Sequence, residues 1–335
     1  MEKTTERTPV LGIILGDHAG IGPEIVAKSL ADGRYDYTPV VAGNRALFED
    51  ALARYAPGVA TVAYEPHADA HRAEFAGERR VYVLDVPADE GIAPGETSVA
   101  SGRLIYDSMM AAIGLARRGL VDGLVLAPIT KQSLHLAGLK YESEFELFAD
   151  AFGTTNVKAV VKADQIFRCT VVGHVAFAKI VDRLTTDGIV LTGEQLLEVM
   201  ARFGQRDRGI AVAALNPHAG EGGLFGDEEA RVIEPAIAAL RRSGAKVIGP
   251  WPADTVFLKA RRGEVGGVVF LYHDQGNIAM KSGYFGESVL IYTNVPHPIV
   301  SVGHGSALDI AGRGVADPGN MIVCIRTLLD LVGRA

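Results

Sequence analysis

Short apolar runs alternate along the chain with longer segments of helical periodicity. Residues 10–15, 123–127, 210–215 and 268–272 carry almost no polar side chains, which is typical of strands covered on both faces of a sheet. Residues 98–117 instead combine good helix formers with apolar positions at helical spacing. Because strands and helices alternate in this way, the pattern predicts a three-layer α/β fold with a mostly parallel sheet.

The other elements follow from the same pattern. Residues 192–204 are predicted as an amphipathic helix with Thr192 at its N-terminal cap, and Gly276 is expected at a sharp turn after the strand at 268–272. Residues 60–89 are predicted to be irregular apart from a strand at 81–86. The remaining strands are predicted at 40–42, 159–161, 167–172, 247–249, 288–292 and 299–302, and the remaining helices at 25–30, 46–55, 134–138, 145–153, 176–184, 228–243 and 320–332.

A histidine follows three of the predicted strands at the end where each strand stops. His174, His218 and His273 each come shortly after an apolar run. Carboxyl ends of parallel strands line the ligand crevice of an α/β sheet, and three neutral imidazoles there suit Zn²⁺, Co²⁺, Ni²⁺ or Mn²⁺, with Mg²⁺ as a further candidate. The pattern therefore predicts a divalent-metal site with open positions for a substrate. It leaves open whether these three side chains converge, and the competing histidines are His18, His135, His297 and His304.

Charged side chains near strand ends are the candidates for proton transfer. Lys131 lies just past the strand at 123–127, and we expect it or Lys281 to act as a general acid or to anchor a substrate carboxylate. Asp254 and Asp274 are candidates for a proton acceptor or for groups that orient the metal ligands. The alternative for Lys131 is an ordinary solvated loop lysine.

The composition of this chain of 335 residues, 48% hydrophobic and 22% charged, is that of a soluble globular enzyme. Single cores stop growing near ~250–300 residues, so we expect two lobes. The formal net charge of −7 argues against a nucleic-acid partner and against an anionic membrane surface. Cys169 and Cys324 are expected as buried free thiols. No apolar stretch suits a signal peptide or a membrane span, which makes the cytoplasm the expected compartment.

A glycine-rich segment, GDHAGIGPE at residues 16–24, follows the first predicted strand. Its glycines permit a tight turn, and Pro23 suits the first turn of a helix. Such a loop can bring backbone N–H groups to an anion. A purely structural turn is an equally good interpretation, because the spacing is not that of the dinucleotide fingerprint.

Residues 303–318, GHGSALDIAGRGVADP, are similar to the adenosine-binding loop of the β-decarboxylating dehydrogenases such as isopropylmalate dehydrogenase, and residues 16–24 resemble that family's N-terminal loop. The resemblance implies two α/β lobes around a continuous mixed, mostly parallel sheet, with coenzyme and substrate in the cleft. It places a coenzyme-binding lobe at 1–130 plus 300–335, and a substrate, metal and dimerisation lobe at 131–299. The implied coenzyme-binding residues are Gly303, His304, Gly305, Ser306, Asp309 and Asp317.

NAD is the coenzyme that we expect from this resemblance, and NADP is the alternative. Acidic or apolar residues near the adenine ribose favour NAD, whereas Arg313 in the same loop could meet a 2′-phosphate.

Further matches to a known family lie in the segments GDHAGIGPE, PITK, LNPHAGEGGLFGDEE, GPWPADTVF, YHDQG and GHGSALDIAG. Together they span nearly the whole chain and resemble the 4-hydroxythreonine-4-phosphate dehydrogenase family. The resemblance implies that His174, His218 and His273 bind the metal ion and that Lys281 contacts the substrate. It also implies a homodimer whose metal site is built from both subunits. The implied reaction oxidises a secondary alcohol beside a carboxylate-bearing carbon and then releases carbon dioxide.

The chain departs from that family where a phosphorylated substrate would be held. Glu144 and Phe145 stand where the family has His and Thr, and Leu290 and Ile299 stand where it has Asn and Arg. An acidic and apolar surrounding should disfavour a phosphate dianion through like charge and unpaired desolvation. These four residues, together with Lys281, form the implied substrate-binding set.

Residues 301–317 are also similar to the terephthalate dihydrodiol dehydrogenase branch, whose substrate carries carboxylates and no phosphate. We therefore expect a small non-phosphorylated catabolic substrate, such as a carboxylated dihydrodiol. The first alternative is a 4-hydroxythreonine-4-phosphate dehydrogenase of pyridoxal phosphate biosynthesis. Further alternatives are a phosphate acyltransferase-like enzyme, whose fold is similar, and a catalytically silent binding protein.

Overall fold

The structure is a computed structural model that describes residues 8–31, 33, 35–75, 80–141 and 143–333. The chain divides into two compact units. The first contains Met1–Val157 and Val295–Gly333, and the second contains Lys158–Asn294.

Strands and helices alternate through both units. The strands are β1 (Val10–Ile14), β2 (Thr38–Gly43), β3 (Thr61–Tyr64), β4 (Val81–Asp85), β5 (Gly123–Leu126), β6 (Lys158–Ala163), β7 (Ile166–Val172), β8 (Ile210–Ala213), β9 (Val247–Trp251), β10 (Gly267–Tyr272), β11 (Val289–Thr293) and β12 (Ile299–Val302). The α-helices are α1 (Gly22–Ser29), α2 (Arg45–Tyr55), α3 (Val99–Arg117), α4 (Lys131–Leu136), α5 (Glu144–Phe152), α6 (Ile180–Arg183), α7 (Thr186–Arg202), α8 (Glu234–Arg242), α9 (Val256–Arg261), α10 (His273–Tyr284) and α11 (Gly319–Val332).

The first unit contains six strands in the order β3-β4-β2-β1-β5-β12, and all neighbouring strands are parallel. β1 is buried along its whole length, with Leu11 opposite Pro39 on β2 and Gly123 on β5. An uninterrupted apolar run on a central strand is the pattern that burial on both faces requires.

The second unit contains six strands in the order β11-β6-β7-β10-β8-β9. β6 runs antiparallel to β7 and β11, whereas β7, β10, β8 and β9 are mutually parallel. The apolar core of this unit includes Val268 and Phe270 of β10, Val256 of α9 and Met280 of α10. The predicted α/β fold with a mixed, mostly parallel sheet is therefore confirmed.

The predicted start of the long helix at 192–204 was wrong. Helix α7 begins at Thr186, and the hydroxyl of Thr185 caps it by accepting from the Gly188 N–H at 3.0 Å. Thr192 lies inside the helix, fully buried, and its hydroxyl donates to the Gly188 carbonyl at 2.7 Å. A buried threonine can satisfy its hydroxyl on the preceding helical turn, so its position in the sequence does not mark a cap.

The predicted sharp turn at Gly276 was also wrong, because α10 starts directly at His273 and includes Gly276. A Cβ on Gly276 would lie 3.0 Å from Cδ2 of Phe270 and 3.3 Å from Cδ of Arg168. The glycine therefore lets α10 pack closely against the sheet.

Two smaller differences concern the first unit. Residues 61–64 form strand β3, which the prediction of an irregular segment missed because this edge strand is short and mostly not buried. Residues 131–157 belong to the first unit, whereas the predicted lobe boundary lay at 130. The reason is that α4 packs tightly on α3, so that a Cβ on Gly102 would lie 1.9 Å from the Ser133 carbonyl oxygen.

No helix in the described part of the chain is long and apolar enough to cross a membrane. Cys169 and Cys324 are both buried free thiols, as the sequence predicted. Burial raises the pKa of each thiol, so neither is a reactive thiolate at neutral pH.

Candidate active site

The carboxyl ends of β7, β10, β8 and β9 lie side by side, because these four neighbouring strands of the second unit are parallel. His174 follows β7, His273 follows β10, His218 follows β8 and Asp254 follows β9. All three histidines expected to bind metal thus follow strands that end at the same edge of the sheet.

His174 and His273 form a close pair at this edge, with 4.8 Å between their ring centroids. His273 is also hydrogen-bonded through Nδ1 to Oδ1 of Asp274, at 2.6 Å. The side chains of His273 and Asp274 are 42% and 72% exposed. In the tautomer that donates from Nδ1, the carboxylate orients the imidazole and leaves Nε2 as the ligand atom.

His218 lies in the loop that follows β8, in a turn of unusual backbone conformation. Its ring is exposed, and its centroid lies 6.5 Å from that of Phe225. His218 has φ of 52°, which is the left-handed region, and the next five residues, 219–223, also have positive φ.

A single chain does not complete a three-ligand metal site among the described residues. No group of three or more His, Cys, Asp or Glu side chains is arranged there to hold an ion. The pair of His174 and His273 with Asp274 nevertheless supplies imidazole and carboxylate donors, which are suitable ligands for divalent ions. These donors fit a divalent metal whose remaining ligands come from elsewhere.

Arg168 fixes the helix that carries His273. This side chain is 8% exposed, and its guanidinium donates to Thr170 Oγ1 at 3.0 Å and to Asn277 Oδ1 on α10. Burial lowers the pKa of Arg168 to about 10, so it stays charged at neutral pH. Arg168 could not be predicted from sequence, because a long-range contact between a strand and a helix has no local signal.

The predicted proton donors and substrate contacts are spread over both units. Lys131 begins α4 and is partly exposed, and Lys281 is exposed on α10. Glu144 and Phe145 lie in the first turn of α5. Leu290 packs against the apolar core of the second unit, and Ile299 is fully buried on β12. Leu290 and Ile299 are therefore packing positions in this structure. The substrate-binding role of the five predicted residues stays a prediction.

The two glycine-rich loops of the first unit pack against each other. The backbone N–H of Ile21 donates to the Ser306 carbonyl at 2.9 Å, and the Thr130 hydroxyl donates to Ser306 Oγ at 2.9 Å. A Cβ on Gly20 would lie 2.7 Å from the carbonyl oxygen of Ser306. The two segments that resemble the coenzyme loops of β-decarboxylating dehydrogenases therefore contact each other at Ser306. Thr130, whose hydroxyl donates to Ser306, directly precedes Lys131 in the sequence.

Lys28 and Glu24 on α1 hold the end of the second loop. Lys28 Nζ donates to the carbonyls of Gly314 and Ala316 at 2.9 and 2.7 Å. Glu24 Oε1 accepts from Lys28 Nζ at 2.7 Å and from the Ala316 N–H at 2.8 Å. The contact with the second loop was not predicted, although an acidic and a basic residue four positions apart on a helix are a usual signal for an ion pair.

Other members of the predicted coenzyme set make contacts that shape the loop. The Gly303 N–H donates to Asn320 Oδ1 at 2.9 Å, and Asp317 Oδ1 accepts from the Gly319 N–H at 2.8 Å. Ser306 is buried, whereas Gly305, Asp309 and Asp317 are exposed and His304 is partly exposed. Coenzyme binding by this set stays a prediction.

His18 is buried in the first glycine-rich loop as a neutral imidazole. Its Nε2 accepts from the Asn44 N–H at 3.1 Å, so Nδ1 carries the proton and donates to the Gly16 carbonyl at 3.2 Å. Burial lowers the pKa of His18 from its ordinary value of 6.5 to about 4. His18 is therefore a structural histidine of this loop.

The buried imidazole predicts a loss of stability in mild acid. Below pH 6.5 the unfolded chain protonates His18, while the folded chain keeps it neutral until about pH 4. The contribution of His18 to the free energy of unfolding is therefore fully present above pH 6.5. It decreases as the pH falls to about 4, which lowers the free energy of unfolding by up to about 3 kcal/mol. Urea unfolding of the chain and of a His18→Gln variant between pH 7.5 and pH 4 measures this. Glutamine can make both hydrogen bonds without titrating. If the free energy of unfolding depends on pH equally in both proteins, His18 is not a buried neutral imidazole.

In a comparison with protein families, residues 36–328 match the family described as pyridoxal phosphate biosynthetic protein PdxA. A 4-hydroxythreonine-4-phosphate dehydrogenase from Beijerinckia indica is 39% identical over 93% of this chain and 91% of its own length. A D-threonate 4-phosphate dehydrogenase from Salmonella typhimurium is 38% identical over 97% of this chain and 99% of its own length.

Solved structures give the same likeness. A 4-hydroxythreonine-4-phosphate dehydrogenase from Klebsiella pneumoniae is 34% identical with a TM-score of 0.83, covering 97% of this chain and 100% of that one. A β-decarboxylating dehydrogenase from Thermococcus kodakarensis is 16% identical with a TM-score of 0.50, over 97% of this chain and 84% of that one, and shares the fold alone.

The prediction of a non-phosphorylated catabolic substrate was wrong. Relatives at 34–39% identity over nearly the full length are named for phosphorylated substrates. A terephthalate 1,2-cis-dihydrodiol dehydrogenase from Burkholderia xenovorans is 27% identical with a TM-score of 0.65, over 98% of this chain and 99% of that one. The prediction rested partly on Leu290 and Ile299, and apolar residues at packing positions carry no information about a phosphate.

Proposed function

The chain belongs to the family of the pyridoxal phosphate biosynthetic protein PdxA, and from this membership we propose that it oxidises the secondary alcohol of a phosphorylated four-carbon hydroxy acid. It is a dehydrogenase that acts on a CH–OH group with NAD. The substrate that we favour is 4-hydroxythreonine 4-phosphate, and D-threonate 4-phosphate is the second candidate because several relatives carry its name. The observation that supports the proposal is that His174, His273 and His218 follow three adjacent parallel strands, β7, β10 and β8.

A divalent ion is held by His174, His218 and His273 in this proposal, and the imidazole donors favour Zn²⁺, Co²⁺, Ni²⁺ or Mn²⁺ over Mg²⁺. When bound, such an ion supplies positive charge that lowers the pKa of the substrate hydroxyl and stabilises negative charge on its oxygen. Asp274 orients the His273 ring through the 2.6 Å contact with Nδ1. Arg168 keeps α10, and therefore His273, on β7.

The chain's acids and bases account for the protons. Asp254 or Asp274 accepts the proton of the substrate hydroxyl, and a nicotinamide coenzyme held by the loop at 303–318 would supply the acceptor for the hydride of the alcohol carbon. The resulting ketone lies β to the carboxylate, so carbon dioxide leaves and the electron pair of the broken C–C bond remains as an enolate. Lys281 or Lys131 then donates a proton to carbon and gives the product ketone.

The loop at residues 303–318 binds the coenzyme in this proposal. The contacts of Gly303, Ser306 and Asp317 fix its backbone on α1 and α11, so that it is organised before the coenzyme arrives. Asp309 and Asp317 add negative charge at exposed positions, which disfavours the extra phosphate of NADP. We therefore propose NAD as the preferred coenzyme.

The expected assembly is a homodimer that completes the metal site. Large apolar side chains are exposed on the second unit, including Phe177 at 78%, Leu224 at 71%, Ile278 at 67% and Phe285 at 79%. Three of these follow His174, His218 and His273 within a few residues of the chain. Such exposure is unusual for a monomer surface and suits burial against a second copy.

As in other enzymes of small-metabolite pathways, the cytoplasm is the expected location.

Turnover by metal-loaded protein tests the proposed function. We expect 4-hydroxythreonine 4-phosphate to reduce NAD, with one carbon dioxide released for each NADH, and NADP to be used less efficiently. D-threonate 4-phosphate serves as the second substrate in the same assay. Absence of NADH formation with both phosphorylated acids, under each of the metals named above, would overturn the proposal.

A further inference from the structure

The loop that carries His218 contains a left-handed turn made largely of residues with side chains. His218, Ala219, Gly220, Glu221 and Gly222 have φ values of 52°, 57°, 77°, 42° and 69°. A left-handed conformation brings Cβ too close to the following carbonyl oxygen, so it is unfavourable for every residue except glycine. Three of these five residues are not glycine. Such a turn persists only where its surroundings hold it, and clusters of this kind occur at functional sites.

Glu229 is the buried group that holds this turn. It is 4% exposed, and its Oε1 accepts from the backbone N–H groups of Leu215 and Asn216 at 2.9 and 2.8 Å. Its Oε2 accepts from the Asn216 side-chain amide at 2.8 Å, and Glu228 accepts from the same amide at 2.7 Å. A Cβ on Gly220 would lie 2.9 Å from Glu229 Oε2. The carboxylate thus sits directly beneath the turn.

The backbone around Glu229 is itself irregular. Glu229–Ile233 form a single π-helical turn immediately before α8. Single π turns within helices occur frequently at functional sites, where the extra residue redirects a side chain. Here the turn belongs to the segment that delivers the Glu229 carboxylate into the loop between β8 and α8.

The hydrogen bonds link this anchor to His218 within a few residues. Asn216 is fixed by Glu229, and its carbonyl accepts from the Ala219 N–H at 3.2 Å. The Gly220 carbonyl accepts from the Phe225 N–H at 3.2 Å and closes the loop. His218 lies between these two fixed points, so the direction of its imidazole depends on the turn.

We propose that Glu229 is a positioning residue for metal binding: it keeps residues 218–222 in the left-handed turn and so presents His218 as a preorganised ligand. The inference rests on the proposed function, in which His218 binds the divalent ion. Groups that orient metal ligands typically contribute about 10-fold to 100-fold to metal affinity.

Titration with Co²⁺, followed by its visible absorption, tests this role without requiring turnover. Glu229→Gln keeps the volume and one acceptor oxygen, but it turns an amide NH2 toward the Asn216 side chain. We expect Co²⁺ affinity to fall at least about tenfold. Glu24→Gln is the matched control, since Glu24 is 3% exposed and also accepts a backbone N–H, but in the first unit. We expect this control to keep the Co²⁺ affinity.

A second substitution separates positioning from a general loss of stability. Glycine adopts the left-handed conformation freely, so adding Ala219→Gly to Glu229→Gln should restore Co²⁺ affinity several-fold. Ala219→Val in the otherwise unchanged chain should weaken Co²⁺ binding, because a β-branched residue resists positive φ. Because Ala219→Val is made in the otherwise unchanged chain, it tests the role of the left-handed turn even where Glu229→Gln does not fold.

The outcomes distinguish this inference from the proposed function. If His218→Ala weakens Co²⁺ binding while Glu229→Gln and Ala219→Val do not, the positioning role is overturned and the metal site stands. If His218→Ala leaves Co²⁺ affinity unchanged, the ligand assignment fails and the positioning role fails with it.

Discussion

Replacing His273 with alanine is expected to lower kcat/KM for 4-hydroxythreonine 4-phosphate by at least roughly 100-fold and to abolish binding of the proposed divalent ion. The imidazole lies beside His174 at a centroid distance of 4.8 Å and is oriented by Asp274, so its loss removes the proposed ligand whose orientation is best defined. Removing a group that stabilises a developing oxyanion typically lowers kcat by roughly 10²–10³-fold.

The fold should tolerate this change. His273 is the first residue of α10, its side chain is 42% exposed, and alanine is a good helix former. We expect the free energy of unfolding to change by no more than about 0.5 kcal/mol. Metal content by elemental analysis and steady-state rates at saturating metal measure the effect.

The matched control is His67→Ala, which removes a histidine that is 63% exposed and pairs with Glu74 in the first unit. The control should keep both metal and activity. Full metal content and an unchanged kcat/KM in the His273 variant would contradict the proposed metal site.

Changing Gly102 to alanine is expected to destabilise the protein by about 3 kcal/mol, the upper part of the range for an overpacked core. The new Cβ would lie 1.9 Å from the Ser133 carbonyl oxygen and 2.9 Å from the Ala137 Cβ. The Ser133 oxygen is a backbone atom of α4, and Ala137 is the residue that ends this helix. Neither atom can move by rotation of a side chain, so the contact is not relieved. Because α4 begins with Lys131, its displacement should also lower turnover.

Gly114→Ala is the control in the same helix. No heavy atom lies within 4 Å of the Cβ that it would add, and alanine is a better helix former than glycine. The expected effect is a stabilisation of about 0.5–1 kcal/mol. Urea unfolding of both variants measures the difference, and equal free energies of unfolding would show that α3 and α4 are not packed as described.

The position of each histidine after a buried strand could be predicted from sequence because it depends on a local pattern. An apolar run without alternation predicts a buried parallel strand, and the residue after it lies at the carboxyl edge. The order β7-β10-β8 in the sheet could not be read from the chain, since these strands are separated by helices and loops. Because these three strands pair in parallel, their carboxyl ends share one edge, and a histidine follows each of them.

The groups that support the candidate sites could not be predicted, because their roles depend on contacts distant in sequence or on an unusual backbone conformation. Arg168 reaches Asn277 on α10, and Lys28 reaches the carbonyls of Gly314 and Ala316. Glu229 is closer to its partners, yet its role depends on a left-handed turn. A run such as NPHAGEGG signals a loop but does not specify the backbone conformation of its non-glycine residues.

The wrong substrate prediction has a related cause. The chemistry of a residue that departs from a family pattern does not show what it contacts, because this depends on its position in the fold. Ile299 is fully buried in β12 and Leu290 packs on the core. At such positions the side chain is selected by packing volume, and its polarity does not report on the ligand.

The most direct test of the proposed function is the ratio of kcat/KM for 4-hydroxythreonine 4-phosphate to kcat/KM for 4-hydroxythreonine, with NAD and a saturating divalent metal. The account predicts that the phosphorylated compound is used at least about 100-fold better, which corresponds to about 2.7 kcal/mol of differential transition-state binding. Equal use of both compounds, or faster turnover of the compound without phosphate, would contradict it.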